Sequence, residues 1–423
     1  MRKVFIIIIL MFVFALPSFA NVKKISMDDA VDLALHNNLA LNAKRKEADI
    51  LKQDIKIANA LKNPQFQSNF LIGKVSKGNS SQFGIALPLE IAKRGPRKKV
   101  AEANLKLVEN EIHKAEHDLK IEVMEAYFNV LYLKSVVYIM QERMELLEDM
   151  HDISKNRQQD KNYKIDLLQS DIRCKKQAIQ LNQAKANLIS AQFHLNDTFN
   201  LEDTSVMYDT EENTLFEDLA ILDLALPEYD ALEKVALVCS YSLKIADSNL
   251  NISEQQLTVA KHKVIPDLTL AGGTAYQTAH QTGGEALPGA FVGAFFDIPV
   301  LYTYRPDVKK ANFVLDRANM DKKSFESRLK IALKQDYNDF KYAKENMKYY
   351  KDILSSSDEI LQMSKQRYKK GDTSLINLMY VENSHQSILN EYVNAMQVYY
   401  MAYLDLMHNV GNDILIDEEV FNM

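Results

Sequence analysis

The chain has 423 residues, 47% of them hydrophobic and 26% charged, with a formal net charge of −6. That balance fits a folded protein too long for one compact core, and mild acidity spread along the length offers nucleic acid no basic surface. The two cysteines, Cys174 and Cys239, stand without metal-ligand spacing, so neither a disulfide framework nor a zinc site is expected.

Arg2 and Lys3 precede an apolar run from Val4 to Leu16, followed by Pro17-Ser18-Phe19-Ala20. A basic start, a short apolar stretch and small residues predict a cleavable export signal over 1–20, with Asn21 opening the mature chain. The competing reading is a membrane anchor, but the run is shorter than the ~20 residues that a spanning helix needs. Asn21 rather than cysteine follows the cut, so no lipid anchor is indicated there. No later segment holds eighteen continuous apolar residues; no transmembrane helix is expected, and any crossing of a membrane falls to strands.

Ser26 and Asp29 form a capping pair for a helix predicted from Met27 to about Leu61, where Asn63-Pro64 stops it. Phe66, Ser68, Phe70 and Ile72 then alternate with Gln65, Gln67, Asn69 and Leu71, which predicts a strand with one apolar face. After a turn at Lys77–Ser81, Phe83, Ile85, Leu87 and Leu89 mark a second strand, and Gly95-Pro96 lead into a helix at Arg97. Over the next sixty or so residues, which hold no proline or glycine, apolar positions step by three and four, among them Leu105, Val108, Ile112, Leu119, Val123, Val130, Val137, Met144 and Leu147. Such a seam belongs to a helix about 90 Å long. The polar cluster from Ser154 to Asn162 turns the chain, and a second helix returns through Ile165, Leu168, Ile172, Ile179, Leu188 and Leu195. The product is an extended helical hairpin.

The second half repeats this plan. A shift of 202 residues, the distance from Pro64 to Pro266, lays Leu33 on Val235, Leu35 on Leu237, Leu41 on Leu243, Gln53 on Gln255 and Ala58 on Ala260 without a gap. Two more strands follow, around Leu268–Tyr276 and Phe291–Phe296, and a loop from Thr278 to Pro288 joins them. A second long helix after Pro306 carries Leu329, Leu333, Phe340, Ala343, Met347 and Leu354. It turns at Lys369–Thr373 and returns to about Asn409. The expected divisions are a first repeat over 21–198, an acidic connector without long periodicity over 199–228, a second repeat over 229–411 and a tail over 412–423.

Strands of about ten residues suit a tilted crossing of a bilayer, yet four strands cannot close a membrane barrel and open edges are forbidden in lipid. The chain is therefore expected to pool strands and helical seams with copies of itself. These pieces resemble the TolC-like outer-membrane efflux family across Ile25 to Gly411. The resemblance rests on the opening MDDAVDLALHNN, on Asn63-Pro64 echoed by Ile265-Pro266, and on RYKKGDTSLINLMYVEN, with Arg367, Tyr368, Gly371, Ser374 and Leu378 in family-like spacing. LEIAKRGPRKKVAEANL, from Leu89 to Leu105, is similar to the strand-to-helix junction of the cobalt-zinc-cadmium-resistance branch.

The resemblance implies a mainly α protein with membrane β: a homotrimer in the outer membrane whose four strands per chain build a twelve-stranded barrel, above a periplasmic barrel of helical hairpins. It implies passive conduction of metal cations, drugs or other small molecules, with no catalysis, cofactor or nucleic acid. The implied partners are outer-membrane lipid, a periplasmic adaptor and an inner-membrane pump. The hairpin turns would form the entrance. Asp166, Asp372, Asn377 and Tyr380 are the gate candidates, and Arg157, Lys161, Arg367, Gly371, Ser374 and Leu378 the adaptor-docking ones. Asn377 and Tyr380 stand where members with a cation-binding acidic ring often carry acids, and Lys161 stands where the second half has Gly371.

Plainer readings compete. Asp166 and Asp372 also suit ordinary helix-start and turn positions. His113 and His117, beside Glu116 and Asp118, are either two metal ligands lacking a third or a solvated helix face. Asp267 and Thr274 would face a wet lumen, and Tyr276, Tyr302 and Tyr304 would either girdle the membrane interface or simply pack. A protein-secretion duct differs in partner rather than fold. An adaptor protein would carry one hairpin rather than two, and no phosphate loop, nucleophile motif or metal spacing supports an enzyme.

Overall fold

The structure is a computed structural model that describes residues 21–71, 80–156, 163–216, 226–277 and 287–411. The expected signal, the first hairpin turn with Arg157 and Lys161, the loop after Gln277 and the tail lie outside the described residues. In chain order the elements are β1 (Asn21–Ile25), α1 (Met27–Asn37), α2 (Leu39–Asn59), β2 (Gln65–Leu71), β3 (Ser80–Leu89), α3 (Arg94–Asn156), α4 (Tyr163–Phe199) and β4 (Val206–Thr210). The second half supplies α5 (Tyr229–Cys239), α6 (Tyr241–His262), β5 (Leu268–Gln277), β6 (Leu287–Phe296), α7 (Arg305–Lys370) and α8 (Leu375–Val410).

The expected helix from Met27 to Leu61 is in fact two. Asn38 leaves helical geometry at φ −60° and ψ 120°, and its N–H still bonds to the Ala34 carbonyl at 2.9 Å. Its side-chain oxygen then accepts from the Leu41 N–H at 2.9 Å, and its amide donates to the Thr198 carbonyl at 3.1 Å. One asparagine thus closes α1, caps α2 and ties both to the end of α4. The break recurs 202 residues on, at Ser240, whose N–H reaches the Ala236 carbonyl at 2.9 Å. The start of α1 matches expectation, with the Ser26 hydroxyl accepting from the Asp29 N–H at 3.2 Å. The long helices α3 and α7 begin a little earlier than expected, at Arg94 and Arg305. Pro96 and Pro306 fall in their first turns, where a missing N–H breaks no helical bond.

The chain divides into two compact units, each assembled from separated segments. The first comprises Met1–Asn42, Ala115–Ser240 and Leu329–Met423. Its core is aromatic: Phe128 stacks on Tyr400 at 4.3 Å and Phe340 on Tyr399 at 5.0 Å, with Tyr127, Tyr403, Leu195 and Phe199 buried beside them. Such pairs add about 0.5–1.5 kcal/mol beyond the area they bury. The connector is more ordered than its composition suggests, since its Val206–Thr210 pairs in parallel with β1, from Asn21 opposite Val206 to Ile25 opposite Thr210. One stretch of α3 is long and apolar enough to cross a membrane by composition, with 56% of its residues buried inside the protein.

The second unit comprises Ala43–Lys114 and Tyr241–Arg328. It holds one antiparallel sheet in the order β2-β3-β5-β6. The register sorts the side chains by alternation. Phe66, Phe83, Ile85, Leu87, Leu270 and Val292 share one face and are exposed, while Gln67, Gln82, Gly84, Ala86, Ala271 and Gly273 share the other. The small residues allow close backbone approach: a Cβ on Gly273 would lie 2.0 Å from the Phe83 carbonyl oxygen, and one on Gly84 would strike the Phe291 ring.

Charge anchors the base of that sheet. Arg94 and Arg97 donate to the last carbonyls of α2, at Asn59 (2.7 Å) and Ala58 (2.9 Å), and so cap its negative end. Arg97 also pairs with buried Glu90 at 2.8 Å. Asp267 precedes β5 and pairs with Lys93 at 3.1 Å and Lys62 at 3.5 Å. It is a junction residue rather than part of a strand lining a lumen.

Candidate functional site: the second hairpin turn and the open sheet

The turn between α7 and α8 follows from its sequence. Gly371 takes φ +87°, a conformation open to glycine, and no atom lies within 4 Å of where its Cβ would be. Its N–H bonds to the Tyr368 carbonyl at 3.1 Å, and the Asp372 N–H bonds to the Arg367 carbonyl at 2.9 Å. This pair of bonds is the Schellman closure of a helix. Ser374 then caps α8, accepting from the Asn377 N–H at 3.3 Å.

Beneath the turn, Tyr368, Leu375, Leu378 and Met379 form a buried cluster with Leu147, Met150 and Leu361. Leu378 is 1% exposed and supports the turn from inside, so it presents no surface to a docking partner. Arg367, Asp372 and Asn377 are exposed. Tyr380 is 76% exposed and rims a cleft of about 450 Å³ with Ile353, Ser357, Ile360, Ser384 and Ile388. In the first hairpin, Asp166 sits half-buried in the first turn of α4.

Sequence reasoning missed the buried polar groups of the first unit. Glu382 on α8 is 1% exposed and pairs with Arg143 on α3 at 2.7 Å, with Arg173 on α4 at 3.9 Å. Apolar periodicity carries no signal for this, although an acid on the seam side of α8 does hint at a buried partner. Farther along, α3, α7 and α8 gather carboxylates. Burial pushes Glu125, Asp336 and Asp405 above the usual carboxylate range, with the charges of neighbouring acids adding to it. Asn409 donates to Asp336 at 2.6 Å and His408 meets Asp118 at 3.1 Å.

His117 is no solvated surface residue. It is 8% exposed and its ring stacks on His408 at 6.0 Å. Among the described residues, no group of three or more His, Cys, Asp or Glu side chains is placed to hold a metal ion. Tyr302 bonds to Asp307 at the start of α7 and stacks edge-on with Tyr304 at 5.0 Å, whereas Tyr276 is exposed on β5.

Two long helical hairpins, an internal repeat and a four-stranded antiparallel sheet with one apolar face define the fold of outer-membrane channels of the TolC-like type, as the sequence motifs had suggested. The chain is similar to the Campylobacter jejuni CmeC outer membrane channel, with a TM-score of 0.73 at 17% identity, covering 91% of this chain and 85% of that one. It matches the open state of the Neisseria gonorrhoeae MtrE outer membrane channel at 0.73 and 14% identity, over 91% and 89% of the two chains. For CusC, whose structures bear on transmembrane channel formation, the values are 0.73 and 12%, over 92% of each chain. By sequence it is 24% identical over 266 residues to the cobalt-zinc-cadmium resistance protein CzcC of Cupriavidus metallidurans, an alignment covering 60% of this chain and 59% of that relative. Comparison with models of protein families finds no match.

Proposed function

We propose that the chain is the outer-membrane duct of a tripartite efflux system, conducting small solutes or metal cations passively from periplasm to exterior. The observation that carries this reading is the open sheet. Its apolar face is exposed, and among the described residues the outer edges of β2 and β6 have no partner strand. An unclosed sheet of four strands is untenable in lipid, whereas three copies joined edge to edge supply twelve strands and a closed wall.

The helices favour the same assembly. Ile165, Leu168, Ile172 and Ile179 leave an exposed apolar stripe on α4, and Tyr342, Tyr349, Ile353 and Ile360 leave another on α7. Two different apolar stripes on one chain suit a heterologous ring, in which each copy covers the next. In that assembly the hairpin turns face the periplasm. Asp166, Asp372, Asn377 and Tyr380 would set the entrance, while Arg367, Gly371 and Ser374 would present the turn to an adaptor linked to an inner-membrane pump. The likeness to CzcC favours metal cations among the cargo.

The purified protein should need detergent, migrate as a trimer and give discrete cation-permeable openings in planar bilayers. Silence at all voltages from a well-formed trimer would refute a conducting duct. Asp372→Ala or Tyr380→Ala should raise conductance, and no change in either removes them from the entrance. A deletion strain tested against zinc, cobalt, copper, bile salts and antibiotics would identify the cargo.

A further inference from the structure

A pocket of about 500 Å³ in the first unit is lined by Arg143 and Leu147 of α3, Ile172, Arg173, Lys176, Gln177 and Gln180 of α4, and Asn383 of α8. Three of these side chains are cations. Among the described residues, Glu382 is the carboxylate that ion-pairs with them, and it cannot balance all three. Its oxygens are committed from behind: Arg143 Nε holds Oε1 at 2.7 Å, and Arg173 Nη1 lies 3.9 Å from Oε2. Arg143 Nη2 donates both to Glu382 Oε2, at 3.4 Å, and to the Asn383 side-chain oxygen, at 2.9 Å. The neighbouring Lys175 is neutralised outside the pocket, by Asp171 at 2.8 Å. Lys176 is not among the groups so paired, and the pocket is left with an excess of two positive charges ringed by amide side chains.

We propose that this pocket binds a carboxylate. Glu382 holds the Arg143 guanidinium from one side and draws Arg173 toward it at 3.9 Å, so part of the site is ordered before any ligand arrives and less side-chain entropy remains to be lost. A planar oxyanion fits guanidinium donors in a fork, and the ammonium of Lys176 adds a point charge beside it. The carboxylate comes either from a small organic acid in solution or from an acidic side chain of a docking polypeptide.

Trifluoroacetate serves as the probe, followed by its ¹⁹F line width on the full-length protein in detergent, with chloride holding the ionic strength constant. We expect saturable broadening that weakens at least tenfold in Arg173→Gln/Lys176→Gln and is unchanged in Lys175→Gln. Competition then separates the two sources. Poly-glutamate that displaces the probe at far lower carboxylate concentration than acetate assigns the pocket to a polypeptide, and equal potency assigns it to free anions. Broadening that is absent, or that survives the double substitution, overturns the proposal. A helical circular-dichroism spectrum unchanged by the double substitution guards against loss of fold.

Discussion

The pair between Arg143 and Glu382 should be asymmetric. Replacing Arg143 by Gln leaves a carboxylate that is 1% exposed with Arg173, at 3.9 Å, as the ion-pair partner left to it among the described residues. Removing one partner of a buried pair costs about 3–5 kcal/mol, and the partial exposure of Arg143 puts this case near the lower end, about 3 kcal/mol. Glu382→Gln is different. The amide keeps the shape and can still accept from Arg143, whose guanidinium reaches water, so the cost is about 1 kcal/mol. Cys174 is a native reporter, because it sits on α4 beside the buried cluster with its Sγ 3.4 Å from the Leu147 carbonyl. Burial raises its thiol above the usual range, and the charges acting on it come from Glu148, Asp171 and Asp152. Changing Arg143 or Glu382 therefore reports local opening rather than thiolate fraction. In a Cys239→Ser background, maleimide labelling of Cys174 should accelerate about 150-fold in Arg143→Gln and about fivefold in Glu382→Gln, at ten-fold per ~1.4 kcal/mol. The double variant should fall short of the product. Equal rates in the two single variants, or a double variant that multiplies them, would refute the account of a buried carboxylate as the dominant cost.

The carboxylates Glu125, Asp336 and Asp405 titrate above their unfolded values, so the folded state holds their protons more tightly. The stability they contribute is full below the ordinary carboxylate range and is lost as pH rises through the raised values. Asp336→Asn keeps an acceptor for Asn409, and should raise the thermal midpoint followed by helical circular dichroism at neutral pH and flatten its decline as pH rises above the ordinary carboxylate range. Gly371→Ala should cost about 1 kcal/mol, from the left-handed backbone alone, since space there is open. Gly411→Ala should cost more, because its Cβ would also lie 2.9 Å from the Cys239 carbonyl oxygen; comparing thermal midpoints tests the order. Gly273→Val should prevent pairing of β3 with β5, and protease cleavage within Leu268–Gln277 would report it.

The long helices and the strands were legible in the sequence because one repeating requirement makes each. A seam that stays buried over many turns must place Leu119, Val123, Ala126, Val130, Leu133 and Val137 in steps of three and four, and a sheet with one apolar face must alternate. Gly371 and Ser374 were legible as a turn for local reasons. What escaped depends on partners distant in sequence. The break at Asn38 answers to the Thr198 carbonyl, and β1 pairs with residues about 185 positions away. Leu378 resembles a turn-surface residue until Tyr368 and Leu147 are known to lie over it. His117 has a polar neighbourhood in sequence and an aromatic stack in space. Nothing local announces that Glu382 is enclosed by two arginines.

The repeat also shows where the fold tolerates a change of length. The offset between halves is 202 along α1 and α5, as from Ala34 to Ala236. Along the seams of α3 and α7 it is 210, matching Leu119 with Leu329, Val123 with Leu333 and Val130 with Phe340. Along α4 and α8 it is 211, matching Ala184 with Ala395, Ala191 with Ala402, Leu195 with Leu406 and Phe199 with Val410. All of these residues are buried, and each offset is constant over the stretch it covers. One residue inserted into a helix rotates everything beyond it by about 100°, which would carry a buried stripe out to solvent. An insertion between elements rotates nothing. The eight residues gained between the first helices and the long-helix seams therefore collect around the strands and their junctions, where β3 and β6 already stand 207 apart. The hairpin turn takes up one more. The two halves differ most where they can differ without turning an apolar seam away from its partner.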